Sequence, residues 1–245
     1  MSDQHPTPAP AASGQDRPVP AFAPVGSRFY AVIVSVMAVV VVLSNIGASK
    51  GVELGPLVTD GGFFLFPLAY ILGDVVSEVY GWKASRRAVL ATFAMAAFAA
   101  LSFWIMIVLP PAGFYDGQAA LERTLGPVWL VVVASLAGFL VGQLSNALVM
   151  VTLKRRHGES KLIARLLGST GVGEFLDTLI FCSIAASVIG IDSWGAFWNY
   201  VVVGFVFKTA VEVILSPVTA LVIGWVKRRE PGYVRAVAAA KAPRA

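Results

Sequence analysis

The sequence predicts an all-α, polytopic integral membrane protein with six transmembrane helices. Three observations favour this class: 57% of the 245 residues are apolar, the mean hydropathy is +0.77, and only 13% of the residues are charged. A soluble domain carries about 25% charged residues. A helix needs about 20 mostly apolar residues to cross a bilayer, and six stretches qualify: 29–46, 62–80, 88–109, 127–153, 171–190 and 196–226.

The two ends of the chain do not continue this pattern. Residues 1–27 are rich in proline, alanine and small polar residues and contain no apolar run. They predict a disordered cytoplasmic tail and no cleavable signal peptide. We therefore divide the chain into this tail, a six-helix domain at 28–230 and a C-terminal cytoplasmic tail at 231–245.

The cations between the apolar stretches predict the orientation. Of the 19 lysines and arginines, sixteen fall in the two tails and in the loops after the second and fourth stretches, whereas Lys50 and Arg123 fall in other loops. Because cytoplasmic loops are enriched in Lys and Arg, both termini are predicted to be cytoplasmic. The first three helices then start inside and the last three start outside, which is the arrangement of an inverted 3+3 repeat.

The second, fifth and sixth stretches each hold two charged residues on one helical face, because the spacings are four, three and four residues. The pairs are Asp74 with Glu78, Glu174 with Asp177, and Lys208 with Glu212. On insertion scales a charge at the centre of a membrane helix costs about 2.5–3.5 kcal/mol. These six groups therefore require partners, water or a function.

The fourth stretch adds two uncharged polar residues, Gln143 and Asn146. The predicted orientation places the polar faces of the second, fourth, fifth and sixth helices between the midplane and the cytoplasm, and we expect them to meet in one cavity. For Gln143 and Asn146 the alternative role is hydrogen bonding between helices.

Two of the charged pairs also have a structural alternative. Glu78 can form an interfacial ion pair with Lys83 or Arg87, five and nine residues further on. Lys208 and Glu212 can neutralise each other within the sixth helix. Both alternatives remain open at the level of sequence.

Small residues and proline predict local features of three helices. Ala134, Gly138 and Gly142 form a small-residue stripe on the fourth helix, which favours close helix packing and permits a homodimer. Ser169 or Thr170 is predicted to be the N-cap of the fifth helix. Pro217 predicts a kink in the sixth.

Other classes of site have no support in the sequence. Cys182 is the only cysteine, so no intrachain disulfide can form, and His5 and His157 are too far apart for metal-ligand spacing. The net charge of +5 is carried by loops and tails and is typical of membrane topology. We expect no metal, no cofactor and no nucleic-acid partner.

Five motifs occur in order along the chain: LSNIGASK at 43–50, FPLAYILGDVVSEVYGWKASRR at 66–87, GSTGVGEFLDTLIF at 168–181, FKTAVEVILSPV at 207–218 and KRRE at 227–230. Together they resemble the queuosine precursor transporter family, also called the VUT family of six-span vitamin-type uptake proteins. The resemblance covers about residues 29–230. At the position before the aspartate of the second helix, where the family usually has Ile, Leu or Thr, this chain has Gly73.

The resemblance implies a multi-pass protein of the bacterial inner membrane that takes up 7-deazaguanines. These substrates are 7-cyano-7-deazaguanine and 7-aminomethyl-7-deazaguanine, and the expected mode is that of a solitary secondary transporter. The expected partners are therefore this small-molecule substrate and the lipid bilayer.

The substrate chemistry that this resemblance implies assigns roles to the polar residues. A guanine-like edge offers an N1–H and an exocyclic amine, two donors that match one carboxylate, and we assign them to Glu174 or Asp177. Its carbonyl requires a donor, for which Asn45, Gln143, Asn146 and Lys208 are candidates. Asp74, Glu78 and Glu212 are candidates for proton coupling or gating.

Two other functions compete with solitary transport. The first is that of a substrate-binding membrane subunit in an assembly that a separate ATPase module energises. The more distant alternative is an intramembrane aspartyl protease, which requires two specific aspartate motifs on adjacent helices; neither motif is complete here.

Overall fold

The computed structural model describes residues 20–54, 57–62, 64–126, 129–187 and 191–241. Its elements are α1 (Arg28–Gly47), β1 (Gly51–Leu54), β2 (Leu57–Asp60), α2 (Phe66–Val108), α3 (Gln118–Leu125), α4 (Trp129–His157), α5 (Leu162–Ala185), α6 (Trp194–Arg229) and α7 (Pro231–Lys241). The all-α prediction is confirmed for the body of the chain, with a short antiparallel β1–β2 hairpin as an addition. Four helical stretches are long and apolar enough to span a membrane: Phe29–Gly47, Phe66–Val108, Gln118–His157 and Trp194–Arg229.

The second and third predicted stretches lie in one 43-residue helix, α2, which is interrupted at Gly81. Gly81 has φ 77° and ψ −177°, a conformation that a residue with a side chain rarely adopts. The two arms, 66–80 and 82–108, reverse direction there. The start of α1 lies at this reversal, since the Tyr30 hydroxyl donates to the Ala84 carbonyl at 3.0 Å.

The other end of α1 meets the far ends of both arms. Ser44 donates its hydroxyl to the Gly62 carbonyl just before the first arm, at 3.3 Å. Asn45 shares a cavity wall with Phe103 and Ile107 of the second arm. The second and third predicted helices are therefore two arms that run side by side along α1.

Close packing of α4 on α5 uses the predicted small-residue stripe. A Cβ at Gly142 would lie 2.8 Å from Cβ of Asp177 and 2.9 Å from the Gly173 carbonyl oxygen. A Cβ at Gly138 would lie 2.6 Å from the Asp177 carboxylate. This face of α4 is thus buried against α5 of the same chain, and it brings α5 to the polar residues of α4.

The predicted N-cap of the fifth helix is wrong. Helix α5 begins at Leu162, and the Ser169 hydroxyl donates to the Leu166 carbonyl inside the helix at 3.1 Å. The extra turns are held by tertiary contacts, because Arg165 within them is buried and pairs with Glu78 of α2. The glycines at the edge of the fifth apolar stretch suggested a later start for this helix, whereas the contact with α2 stabilises its earlier turns.

Helix α6 runs through Pro217 without an interruption of its 36 residues. Proline cannot donate to the carbonyl four residues earlier, that of Val213. The Ser216 hydroxyl donates to this same carbonyl at 2.9 Å. The side chain next to the proline therefore satisfies the group that the proline leaves free.

The helix bundle has two ends that differ in composition. The hairpin end carries β1–β2, the C-terminal end of α1 and Gly62. The basic end carries Gly81, the C-terminal ends of α4 and α6, helix α7 and residues 20–27. Of the predicted N-terminal tail, residues 1–19 lie outside the described residues, whereas Ala21 and Ala23 are buried at the basic end.

Candidate functional site

A cavity of about 450 Å³ lies between α1, α2, α4, α5 and α6 in the half of the bundle near the hairpin end. This volume is typical of sites for small organic ligands. Its wall includes Asn45, Phe66, Asp177, Tyr200, Phe207 and Lys208. Three residues predicted from the sequence to bind substrate, Asn45, Asp177 and Lys208, therefore face one space.

The polar centre of this cavity is an ion pair between α5 and α6. Lys208 Nζ donates to Asp177 Oδ2 at 2.6 Å and lies 3.8 Å from Glu174 Oε2. It also lies 4.3 Å from the centroid of the Phe66 ring. No ion pair joins Lys208 to Glu212 among the described residues, so the self-neutralising pair is not formed. Helices α5 and α6 pack closely here, since a Cβ at Gly204 would lie 3.1 Å from the Thr178 side chain. This packing brings Lys208 to the acids of α5 rather than to Glu212 of its own helix.

A second group of polar side chains lies deeper in the bundle and is called the deep cluster. It consists of Tyr70, Asp74, Gln143, Asn146, Glu174 and Glu212, all buried. Asn146 Nδ2 donates to Asp74 Oδ1 at 2.7 Å. The Tyr70 hydroxyl is within electrostatic reach of the carboxylates of Asp74, Glu174 and Glu212.

Most of the deep cluster lacks hydrogen-bond partners within the described part of the chain. The buried atoms without one include the Tyr70 hydroxyl, both amide atoms of Gln143, Oδ1 of Asn146, both carboxylate oxygens of Glu174 and Oε1 of Glu212. Buried polar atoms are paired in the great majority of cases, and an unpaired one needs an explanation. Several in one place indicate a site prepared for a ligand.

Gly73 leaves room for one member of this cluster. A Cβ at this position would lie 2.4 Å from Oε1 of Gln143. A larger side chain at position 73 would occupy the space that the Gln143 amide fills.

A third group, the ion-pair cluster, lies toward the basic end and consists of Glu78, Lys154, Glu159, Arg165 and Lys227. The fully buried Glu78 Oε1 lies 2.8 Å from Arg165, 2.7 Å from Lys227 and 3.3 Å from Lys154. Glu159 Oε2 lies 2.6 Å from Lys227, and its Oε1 lies 3.2 Å from Lys154. These partners come from α4, α5 and α6.

The predicted partners of Glu78, Lys83 and Arg87, are instead exposed on the far side of the Gly81 reversal. The reversal turns the residues after it away from the face that carries Glu78. Cations that were attributed to loops and a tail reach Glu78 from the neighbouring helices.

Aromatic side chains from both ends of the described chain cover the ion-pair cluster. Lys154 Nζ lies 4.8 Å from the Phe22 ring centroid and 4.9 Å from that of Tyr233, and it donates to the Tyr233 hydroxyl at 3.1 Å. Tyr80 donates to Glu230 Oε2 at 2.8 Å. The amide of Ala23 donates to the Val79 carbonyl at 2.8 Å. The bundle is closed at its basic end by these contacts.

Glu159 lies in the loop between α4 and α5, where cations determine its protonation. Partial burial alone would raise the pKa of this carboxyl, but the hydrogen bond from Lys227 and the charge of Lys154 hold the pKa at about 2. Glu159 therefore stays ionised at neutral pH and complements the surplus of cations in the cluster.

The sequence predicted the charged residues of the cavity and of the deep cluster, and Glu78 of the ion-pair cluster, but missed several partners. Asn45, Asp177 and Lys208 line the cavity; Asp74, Gln143, Asn146, Glu174 and Glu212 form most of the deep cluster; Glu78 lies in the ion-pair cluster. Tyr70 was missed, although it lies one helical turn before Asp74 on the same face. Phe66, Lys154 and Tyr233 were missed because a partner across helices leaves no periodic pattern.

A bundle of long apolar helices that encloses a polar cavity and buried charges has the organisation of a membrane transport protein. The comparisons with known proteins agree with this class. The family model described as "Putative vitamin uptake transporter" matches residues 60–222, more than half of the chain. The chain belongs to this family, which confirms the resemblance seen in the motifs.

One relative with a named function is found in Bacillus subtilis (strain 168), where it is called "Probable queuosine precursor transporter". It is 28% identical over 177 residues, which cover 72% of this chain and 76% of the relative. No solved protein structure matches the chain.

Proposed function

We propose that this protein imports queuosine precursors, 7-cyano-7-deazaguanine or 7-aminomethyl-7-deazaguanine, across the bacterial inner membrane as a solitary secondary transporter. The observation that carries the proposal is the Lys208–Asp177 ion pair inside a cavity of about 450 Å³. Family membership and the name of the Bacillus subtilis relative support the substrate class. A guanine-like ring presents donors and an acceptor on one edge, and this pair supplies an acceptor and a donor.

The proposal places six helical segments across the membrane. They are α1, the two arms of α2, α4, α5 and α6. The cations of the basic end support a cytoplasmic location for that end, and the proposal puts both termini on the same side. The first three segments and the last three would then form an inverted 3+3 repeat, as in other secondary transporters.

The cavity and the deep cluster provide successive subsites in this proposal. In the cavity, Asp177 accepts from the donor edge of the substrate, and Lys208 or Asn45 donates to its carbonyl. Phe66 offers an aromatic face next to Lys208. Deeper in the bundle, Glu174, Gln143 and Asn146 present acceptors and donors that lack partners in the described chain. These groups bind the same edge of the substrate after it leaves the cavity.

The ion-pair cluster gives the transport cycle its inner barrier. The basic end is closed by Glu78 with its three cations and by Phe22 and Tyr233. Alternating access requires that this end open while the hairpin end closes around the cavity. Glu78 is thus proposed as a gating residue rather than a proton carrier.

The transport assignment is tested in a bacterial strain that lacks both queuosine synthesis and its own precursor transporter. Queuosine in tRNA is measured after growth in nanomolar external 7-cyano-7-deazaguanine. The wild-type chain restores queuosine, Asp177→Asn and Glu174→Gln reduce it strongly, and Asp116→Asn, an exposed control carboxylate, does not. Normal transport by both Asp177→Asn and Glu174→Gln contradicts the binding assignment.

The solitary mode is tested with the purified chain in proteoliposomes. Uptake of labelled 7-cyano-7-deazaguanine without any other protein is the expected result. If uptake appears only after an ATPase module and ATP are added, the chain is a subunit of a larger importer.

A further inference from the structure

The deep cluster contains more carboxylates than cations. Asp74, Glu174 and Glu212 are 1%, 0% and 5% exposed. Among the described residues Glu174 has one cation within 4 Å, Lys208, which lies 3.8 Å from Glu174 and 2.6 Å from Asp177. Asp74 and Glu212 form no ion pair within the described residues. Buried charges without a partner are disfavoured in a membrane protein, so these carboxyl groups must be neutralised in another way.

The polar and charged groups on the helices around the deep cluster do not balance this excess of carboxylates. Helix α2 contributes Tyr70 and Asp74, and α4 contributes the amides of Gln143 and Asn146. Helix α5 contributes Glu174 and Asp177, and α6 contributes Lys208 and Glu212. Glu78, one turn beyond Asp74, is already neutralised by its own three cations. Four carboxylates therefore face one ammonium group.

A second observation indicates that the deep cluster can bind a ligand. The Tyr70 hydroxyl and the Gln143 amide are fully buried, and neither has a hydrogen-bond partner among the described residues. Within the described residues no three carboxylate, histidine or cysteine side chains converge where one metal ion could be held. Separate protons on separate carboxylates satisfy this arrangement better than one shared metal ion.

We propose that the deep cluster is the proton-coupling site of the transporter and that Glu212 is its main proton carrier, with Asp74 and Glu174 as neighbouring acceptors. This inference rests on the proposed function. A proton binds a carboxylate oxygen of Glu212 while the cavity faces outside, forming an O–H bond. The same bond breaks when the basic end opens and water accepts the proton.

Glu212 is singled out by its position and by its missing partner. It lies one helical turn beyond Lys208, on the same face of α6 and toward the basic end. Its Oε1 has no hydrogen bond in the described chain. Glu174, the member of the deep cluster that lies 3.8 Å from Lys208, links the cluster to the cavity, because it can accept either a proton or the donor edge of the substrate.

The experiment uses the purified full chain in proteoliposomes, with labelled 7-cyano-7-deazaguanine as the probe and the membrane potential clamped at zero. An outside pH one unit below the inside pH drives about tenfold accumulation for each proton carried. We expect this accumulation in the wild-type protein and its loss on addition of a protonophore. Accumulation driven only by a sodium gradient overturns the proposal.

Glu212→Gln then tests the carrier, because glutamine resembles a carboxyl group that cannot release its proton. Exchange of labelled for unlabelled substrate should stay within about threefold of wild type, while the tenfold accumulation disappears. Glu122→Gln, an exposed glutamate on α3, is the matched control and should retain both activities. Accumulation by Glu212→Gln equal to that of wild type overturns its role.

The outcomes separate this proposal from the proposed function. Exchange without pH-driven accumulation in the wild-type protein overturns proton coupling and leaves transport standing, whereas no exchange at all contradicts transport itself. If Glu212→Gln does not exchange, Asp74→Asn decides. This variant must exchange without concentrating the substrate, and the proposal fails if it does not.

Discussion

The ion-pair cluster and the deep cluster place equally buried glutamates in opposite electrostatic settings. Glu78 and Glu174 are both 0% exposed. Glu78 has three cations within 3.3 Å, whereas the nearest cation to Glu174 lies at 3.8 Å and its two oxygens form no hydrogen bond in the described chain. Burial alone therefore does not indicate the role of a membrane carboxylate. The number of its partners separates a group that holds helices together from a group that is available for a ligand.

The largest expected effect comes from neutralising the two glutamates in turn. Glu78→Gln leaves Lys154, Arg165 and Lys227 without their shared anion, and removing one partner of a buried ion pair costs about 3–5 kcal/mol. Glu174→Gln should change stability by less than about 1 kcal/mol, because it removes a carboxylate that forms no hydrogen bond in the described chain and has one cation, at 3.8 Å. Thermal unfolding in detergent measures both variants.

One result would contradict this comparison of Glu78 with Glu174. If the two substitutions lower the unfolding temperature equally, partner number does not distinguish the clusters. Glu122→Gln on the exposed face of α3 controls for the chemical change itself.

A smaller effect is expected at the border between the cavity and the deep cluster. Lys208→Met leaves Asp177 without its ion pair and should cost about 2 kcal/mol, the scale of a hydrogen bond to a charged group. Adding Asp177→Asn should recover most of this loss, since Asp177 then no longer carries a charge that lacks its ion-pair partner. Unfolding midpoints of the single and double variants form a double-mutant cycle.

Transport provides the independent readout for this pair. The double variant should be stable but inactive, because in the proposed binding mode the substrate edge loses both its acceptor and its donor. A stable double variant with wild-type uptake of 7-cyano-7-deazaguanine would show that the pair is purely structural.

The sequence predicted the acidic residues of the deep cluster and Glu78 of the ion-pair cluster, but not how they are paired. Hydropathy and helical spacing place Asp74, Glu78 and Glu174 on faces of apolar helices. The partners of Glu78 are 76, 87 and 149 residues away along the chain, and no local period encodes such separations. Lys154, Arg165 and Lys227 were interpreted as loop cations because a hydropathy profile gives depth along a helix but not direction around it.

The fold shows the same division between local and long-range information. The break between the second and third predicted stretches was located correctly because WKASRR interrupts the apolar run. The start of α5 was misplaced, because its first turns are held by Arg165 on Glu78 and not by a local capping residue. Features set by a residue's own neighbours were predictable, and those set by a distant helix were not.

A more modest effect is expected from the aromatic cover of the ion-pair cluster. Tyr233→Ala removes the hydroxyl that accepts from Lys154 and a ring that lies 4.9 Å from Lys154 Nζ and 5.1 Å from Lys227 Nζ. Cation–π contacts contribute about 0.5–2 kcal/mol depending on burial, so a loss of about 1–2 kcal/mol is expected. Tyr233→Phe keeps the ring and should retain most of the stability, as measured by thermal unfolding. Equal losses in the two variants would assign the effect to the hydroxyl alone.

The smallest expected effect is the pH response of Glu159, the half-exposed member of the ion-pair cluster. Its pKa is held at about 2, below the ordinary value of 4.5, by Lys227 and Lys154 against the opposing effect of burial. Ionised Glu159 is favoured in the folded state, so its contribution is complete above about pH 4.5 and is lost as the pH falls toward 2. Because the side chain is 43% exposed, solvent screening limits this contribution to less than about 1 kcal/mol. Unfolding of the wild type and of Glu159→Gln should therefore differ at pH 6 and converge toward pH 3. A difference that grows as the pH falls would mean that Glu159 is not stabilised by these cations, and the ion-pair cluster would then depend on Glu78 alone.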